Sequence, residues 1–248
     1  MINKIVVGMK CLNEGKIARR CIADFHDDEW VKEIVVLDGG STDFTTFELH
    51  TFSKVRVHTL KWDDLCPHQE TLSSNALLGY IRNGETVFIL DFDERLSPEL
   101  REYLHEVAKG EHYISELCGV HFSRRTFELI RYEGSPHAII GGDGWPEVLA
   151  QIGNYPDYQC RMFIKDYHLH WVNSPHHVLC GQTSEISIRA DIIHYEKENF
   201  TDRINLEKKW LLCQARRQEL GLIADIYETQ PNPELASEIE EWKFGQNK

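Results

Sequence analysis

The chain is expected to adopt an α/β fold with a mostly parallel sheet, and two observations carry that expectation. Short apolar runs alternate with helical segments over residues 1–108 at the spacing of successive β-α units. Acidic residues then stand just beyond three of the apolar runs. The run 5–9 leads into Asn13-Glu14, the run 34–37 into Asp38-Gly39-Gly40-Ser41-Thr42-Asp43, and the run 87–90 into Asp91-Phe92-Asp93-Glu94. Ligands of open α/β sheets bind in the crevice beyond the carboxyl ends of the strands, so these three turns should meet at one site. A crevice lined by Glu14, Asp38, Asp91 and Asp93 suits a divalent cation and the hydroxyl and N–H donors of a nucleotide. It does not suit a bare phosphate.

Each element has its own warrant. In the first helix Lys16, Arg19 and Arg20 mark the solvent side, while Ile17, Cys21, Ile22 and Phe25 form the buried face. Residues 55–59 read as an edge or third strand. Residues 68–80 read as a helix with Leu72, Ala76 and Leu77 facing inward. Ser97 can cap the next helix, Pro98 suits its first position, and Leu100, Leu104 and Val107 make its inner face. After residue 110 the pattern changes. Alternation at Cys118, Val120 and Phe122 predicts a strand, and residues 133–157 read as a long Gly-, Pro- and Asp-rich loop, of the kind that usually carries function. The stretches 158–164 and 187–189 read as further strands, and two amphipathic helices are expected over 200–220 and 232–243.

Composition narrows the partners. The 248 residues make one large domain or two closely fused halves. With a net charge of −13 and scattered Lys and Arg, the chain lacks the basic face of a nucleic-acid binder. The same balance argues against tight docking through a polybasic patch and leaves room only for weak peripheral membrane association. No apolar run approaches the ~20 residues of a membrane-spanning helix. The start is too short for a signal-peptide core. The seven cysteines are odd in number and form no Cys-x-x-Cys pair, so reduced thiols and a cytoplasmic location are expected.

Asp91 and Asp93, two carboxylates at i and i+2, can share one octahedral Mn²⁺ or Mg²⁺ ion that also touches a diphosphate. A merely solvated acidic turn is the bland alternative, and the company of Asp38 and Glu14 at neighbouring strand ends weighs against it. Gly39 and Gly40 let the backbone turn sharply beside a ligand. Ser41 or Asp43 caps the helix that follows, which makes Asp43 structural and leaves Asp38 to accept a hydrogen bond from a base. His168, His170, His176 and His177 invite a zinc reading, but exposed strand positions explain the first two better. His194 follows an apolar pair and reads as a hydrogen-bonded core histidine rather than a ligand. The pairs Trp145-Pro146 and Tyr155-Pro156 either form a sugar-stacking wall or order a loop.

The combination Cys11-Leu12-Asn13-Glu14, Leu37-Asp38-Gly39-Gly40-Ser41-Thr42-Asp43 and Leu90-Asp91-Phe92-Asp93-Glu94 followed by Arg95-Leu96-Ser97-Pro98-Glu99-Leu100 resembles the family 2 glycosyltransferases of GT-A fold. It is most similar to the lipopolysaccharide-core and capsule members. The resemblance continues through Tyr155-Pro156-Asp157-Tyr158-Gln159-Cys160-Arg161-Met162-Phe163, residues 170–177 and Ile192-Ile193-His194-Tyr195, and covers about residues 4–200. It implies a Rossmann-like mixed sheet flanked by helices. A nucleotide-sugar-binding half (1–95) would be continuous with an acceptor half (96–200), and a helical extension would occupy 201–248. It implies metal-dependent sugar transfer, with inversion, from a UDP- or GDP-sugar to a saccharide or glycolipid acceptor in polysaccharide biosynthesis. By the resemblance Asn13, Glu14 and Asp38 hold the nucleoside, and Asp91 the ribose or the metal's water shell. Asp93 of the DxD motif holds the metal directly, and His177 is a further metal or diphosphate contact. Val178 stands where the family has Glu, so no acid–base role carries over there.

An inverting transfer needs a carboxylate on the acceptor side of the sugar. Asp157, Asp143 and Glu147 are the candidates, with Asp157 ranked first because it lies where the acceptor segment matches. A turn-capping role is its bland alternative. Two other functions compete. A sugar-1-phosphate nucleotidyltransferase is disfavoured because the first turn lacks a Gly-rich, Lys- or Arg-bearing phosphate loop; a non-catalytic sugar-nucleotide-binding protein is the other.

Overall fold

The computed structural model describes residues 3–63, 66, 68–128, 150–173 and 178–195. Every apolar run named above becomes a strand, and in chain order the elements are β1 (Ile5–Cys11), α1 (Gly15–Phe25), β2 (Val31–Asp38), α2 (Thr45–Leu49), β3 (Val55–Thr59), α3 (Gln69–Gly79), β4 (Thr86–Ile89), β5 (Glu94–Leu96), α4 (Pro98–Lys109), β6 (Cys118–Glu128), β7 (Ala150–Ile164), β8 (His170–Val172), β9 (Val178–Cys180) and β10 (Ser184–Tyr195). Eight strands form one sheet in the order β3-β2-β1-β4-β7-β6-β10-β5, and β8 pairs with β9 separately. The first four run parallel, so the carboxyl ends of β1, β2 and β4 lie along one edge. β7 then runs antiparallel to β4 and to β6, β10 parallel to β6, and β5 antiparallel to β10. This is the helix-flanked α/β sheet the sequence predicts, Rossmann-like on its parallel side and mixed beyond it.

The strands alternate between two apolar layers, as their period of two requires. Ile5, Val7, Met9, Ile34, Val36, Phe88, Val120, Phe122, Met162 and Ile192 pack with α1 and α4 on one face. Val6, Val35, Leu37, Val87, Ile89 and Phe163 pack with Leu77 and Leu78 of α3 on the other.

One connection shapes the sheet. In a flat sheet β5 would lie four strand spacings from β4, roughly 19 Å at about 4.8 Å each. Only residues 90–93 join the two strands, and five residue steps span at most roughly 17–18 Å when fully extended. The chain also turns on the way, because Glu94 N–H donates to the Asp91 carbonyl at 3.1 Å. The sheet must therefore curl until β5 returns beside β4, and the acidic turn sits at the mouth of that curl.

Several expectations need correction. Leu72 is 51% exposed; α3 instead turns Gln69, Ser73, Ser74, Leu77 and Leu78 inward. Its neighbours there are the thin β8–β9 layer and the sheet, and small polar residues fit that gap. Arg20 is half-buried rather than on the solvent side. Residues 150–157 are strand, not loop, so Asp157 and Tyr155 lie within β7. His168 sits in a turn before β8 and His170 begins it, both exposed. The expected helices over 200–220 and 232–243, the 201–248 extension, Asp143, Glu147, Trp145, His176 and His177 lie outside the described residues.

The start of α4 follows the capping rule. Ser97 Oγ accepts the Leu100 N–H at 3.2 Å, Pro98 occupies the first turn, and Gly110 closes the helix at φ 82°. Ser97→Ala should lower stability by about 1 kcal/mol. Leu104→Ala, which empties a fully buried position, should cost about 2–5 kcal/mol. Urea midpoints of the two variants should fall in that order, and the reverse order would show that the cap, not the apolar face, holds α4.

Candidate active site

The first two acidic turns are stapled together by backbone-to-side-chain bonds. Asn13 adopts a left-handed φ of 58°, a conformation asparagine tolerates well. Its N–H donates to Ser41 Oγ at 2.9 Å and its Oδ1 accepts the Thr42 N–H at 2.8 Å. Asp43 accepts the Gly15 N–H at 3.0 Å and the Thr45 N–H at 2.9 Å, tying α1 to α2. Gly15 is required there: a Cβ at that position would lie 2.9 Å from both Asp43 Oδ2 and the Phe44 ring. Burial pushes the Asp43 carboxyl up, but the hydrogen bonds from Thr45 and Gly15 outweigh it and hold the group below its ordinary range. Asp43 is structural, but as a tie between α1 and α2 rather than as the expected cap: Phe44 holds the N-cap position of α2 and no side chain caps that helix.

Asp38 is 2% exposed, and its oxygens accept the Ser41 N–H at 3.1 Å, the Gly40 N–H at 3.2 Å and the Ser41 hydroxyl at 2.5 Å. It is not the free carboxylate that the sequence suggests; it organises its own loop. The Cys11 thiol stands 3.6 Å from it, and burial together with that charge pushes the thiol well above its usual range. Glu14 opens α1 without a side-chain cap, its carbonyl accepting from Ile17 and Ala18.

The third turn gathers the most chemistry. Phe92 is buried, which anchors the turn and spreads Asp91 and Asp93 to either side. Asp91 Oδ2 accepts from Arg161 Nη1 of β7 at 3.1 Å. Arg161 Nη2 donates to Glu94 Oε1 at 2.6 Å and to Gln159 Oε1 at 3.0 Å. Glu94 Oε2 accepts the Asp91 N–H at 3.0 Å, so its side chain braces the turn from within. Burial raises the Glu94 carboxyl to about 7, with Arg161 pulling it down and Asp91 and Asp93 adding to the rise. Burial works against the Arg161 charge, yet Glu94 and Asp91 more than offset it and keep the guanidinium protonated.

On the other side of the turn, Asp93 Oδ2 lies 3.5 Å from His194 Nε2, and Asp93 O accepts the Tyr195 N–H at 2.9 Å. His194 Nδ1 stands 3.3 Å from Thr126 Oγ1, a contact that orients the ring. Burial alone would lower the His194 pKa, but the hydrogen bond to Asp93 and the charges of Asp93 and Glu94 raise it. The Asp93 carboxylate offers the kind of oxygen ligand that Mn²⁺ and Mg²⁺ prefer. Among the described residues no three His, Cys, Asp or Glu side chains converge on one metal position. This donor set fits a cation that completes its shell with substrate phosphate and water, as these ions usually do. Asp91, committed to Arg161, stands back from that pair.

Asp157 lies on β7 opposite Arg124 of β6 and reaches the same network. Arg124 Nη2 donates to Asp157 Oδ2 at 2.8 Å, Arg124 Nε at 3.1 Å, and Gln159 Nε2 at 3.1 Å. All three donors take one oxygen; Oδ1 accepts from none of the described residues, and the side chain is 39% exposed. The capping alternative fails, since the group sits within a strand. Tyr155 donates to Asp191 Oδ1 at 3.0 Å, and the Arg125 guanidinium lies 4.6 Å from its ring centroid, so that ring face is already covered.

The sequence reading thus missed Glu94, Arg124, Gln159 and Arg161 beside the acidic turn, while His194 is the hydrogen-bonded, largely buried histidine that its position predicts. Glu94 looked like part of an exposed acidic turn, and only its place as first residue of a buried strand betrays it. Arg161 and Gln159 sat inside a segment already singled out; a charged residue before three strand apolars was the available signal.

No protein-family model matches the chain. Among solved structures it resembles Staphylococcus aureus TarS 1–349, with 13% identity over 87% of this chain and 72% of that one at a TM-score of 0.46. The complex of that protein with UDP aligns at 16% identity over 91% and 67% at the same TM-score of 0.46. It also resembles the mannosyltransferase PcManGT of Pyrobaculum calidifontis in complex with GDP-Man and Mn²⁺, with 17% identity, 50% and 35% coverage and a TM-score of 0.39. Glucosyl-3-phosphoglycerate synthase of Mycobacterium tuberculosis, bound to Mn²⁺, UDP-Glc and phosphoglyceric acid, aligns at 21% identity over 50% and 44% with a TM-score of 0.34.

The raised carboxyl of Glu94 has a signed consequence. A group protonated more readily in the folded state stabilises the fold fully below its ordinary value of 4.5, and that contribution is lost as pH rises to about 7. Between those limits the wild type should lose stability relative to Glu94→Gln as pH increases. Urea unfolding of both proteins across that window checks it, and a constant difference would mean that Glu94 stays ionised throughout.

Proposed function

We propose that this chain transfers a sugar from a UDP- or GDP-linked donor to a hydroxyl of a saccharide or glycolipid acceptor, with inversion and with Mn²⁺ or Mg²⁺ as cofactor. The observation that carries this reading is that the curled sheet links Asp91, just past the end of β4, through Arg161 and Gln159 to Asp157 of β7, while Asp93 of the same turn faces His194 of β10. Residues 1–95 would hold the donor and 96–200 would present the acceptor. A cytoplasmic setting and a place in polysaccharide assembly belong to the same proposal.

In this reading the stapled turns carrying Asn13, Glu14 and Asp38 frame the nucleoside, with Asp38 acting through the loop it organises. Asp91, steadied by Arg161, faces the ribose. Asp93 would hold the cation, with His194 orienting its carboxylate, and the ion would neutralise charge on the departing diphosphate. Asp157 supplies the base: its anchored Oδ2 fixes the carboxylate, and Oδ1 takes the proton of the acceptor hydroxyl. The hydroxyl oxygen then bonds to the anomeric carbon as the bond from that carbon to the diphosphate breaks. A base across the sugar from the leaving group is what inversion requires. Asp143 and Glu147 remain alternative bases.

Nucleotide release from a panel of UDP- and GDP-sugars, with and without saccharide acceptors, tests the proposal. Acceptor-stimulated release of UDP or GDP supports it. Binding without turnover would indicate a non-catalytic sugar-nucleotide-binding protein, and pyrophosphate-dependent exchange a nucleotidyltransferase. Asp93→Ala and His194→Ala should each weaken Mn²⁺-dependent nucleotide binding, measured by calorimetry, and full activity in EDTA would defeat the metal assignment. Asp157→Asn should lower kcat by about 10²–10⁴-fold; a fall of less than about tenfold would remove Asp157 from the role.

A further inference from the structure

We infer that Gln159 is a positioning residue that holds the acceptor-side carboxylate in register with the donor-side turn. This rests on the assignment of Asp157 as base. The amide of Gln159 lies between a cation and an anion that never touch each other: Oε1 accepts from Arg161 at 3.0 Å and Nε2 donates to Asp157 at 3.1 Å. Guanidinium groups only donate and ionised carboxylates only accept, so the amide has one orientation that satisfies both. A primary amide is suited to such a bridge because it offers an acceptor and a donor on one rigid plane. Arg161 itself grips Asp91 and Glu94, so the chain Asp91–Arg161–Gln159–Asp157 links the donor turn to the base through side chains alone. Arg124 fixes the same Asp157 oxygen from β6, which supplies anchorage but no link to the donor turn. Gln159 is the member of the chain that carries no charge.

The consequence is a loss of rate without a loss of donor binding. With the donor and acceptor pair that the nucleotide-release assay selects, Gln159→Leu should lower kcat roughly 10- to 100-fold, the usual penalty for a reacting group displaced by about 1 Å. The donor KM should stay within about twofold. Gln159→Glu keeps an acceptor for Arg161 but cannot donate to Asp157, so it should lose as much activity while folding normally. A residue that served only to hold Arg161 would leave Gln159→Glu at wild-type activity, and that result would overturn the inference. In the Asp157→Asn background, Gln159→Leu should change kcat by less than about twofold, because residues acting as one unit are not additive. A full further loss in that background would also overturn it. If Asp157→Asn alone is harmless, the base assignment itself falls, and Gln159 cannot be acting through it.

Discussion

The buried pair of Arg161 and Glu94 is the interaction on which the acidic mouth of this protein depends. Glu94 has no side-chain exposure and Arg161 has 9%. Such a pair contributes little net stability, because both charges lose their hydration. Its value is geometric. Glu94 begins β5 and braces the Asp91 amide, while Arg161 belongs to β7, so one ion pair fixes the acidic turn against a strand that arrives some seventy residues later in the chain. Removing either partner would strand a buried charge, which costs far more than the pair contributes.

That pair also explains how so many carboxylates share one edge. Asp91, Asp93 and Glu94 would repel one another if left alone in a partly dry mouth. Arg161 neutralises two of them, and His194 faces the third. In the proposed function, a divalent cation and its diphosphate would complement the carboxylate of Asp93 on the open side of the turn. The Asn13–Thr42 and Asp43–Gly15 bonds do a parallel service for the first two turns, using backbone N–H groups instead of side-chain cations. The edge formed by the first two turns is therefore tied down by its own hydrogen bonds, and such preorganisation makes charge stabilisation effective.

The curl of the sheet turns this edge into a site with two sides. Because only residues 90–93 join β4 to β5, β7, β6 and β10 arch around the turn. Their side chains on the inner face, Asp157, Gln159, Arg124 and His194, face a group that would otherwise look onto solvent. The shortness of a single loop thus sets side chains of β6, β7 and β10 opposite the acidic turn.

The parallel half of the fold was legible from local sequence, because a strand that ends in acid after four apolar residues, followed by an amphipathic helix, has few other readings. The cap at Ser97 and the inner face of α4 are local too, and each stands as the pattern predicts. Leu72 escaped because α3 packs against a thin layer where small residues suffice, so apolar spacing alone named the wrong face. Asp38 escaped because local sequence cannot say whether a carboxylate faces its own loop or a ligand. His194, Arg161 and Gln159 belong to strands far along the chain, and nothing in their own neighbourhoods distinguishes a site residue from an ordinary strand polar. Sequence alone thus determined which strand ends carry acid; the curl, closed by a four-residue connection and a buried ion pair, decided which distant side chains would meet it.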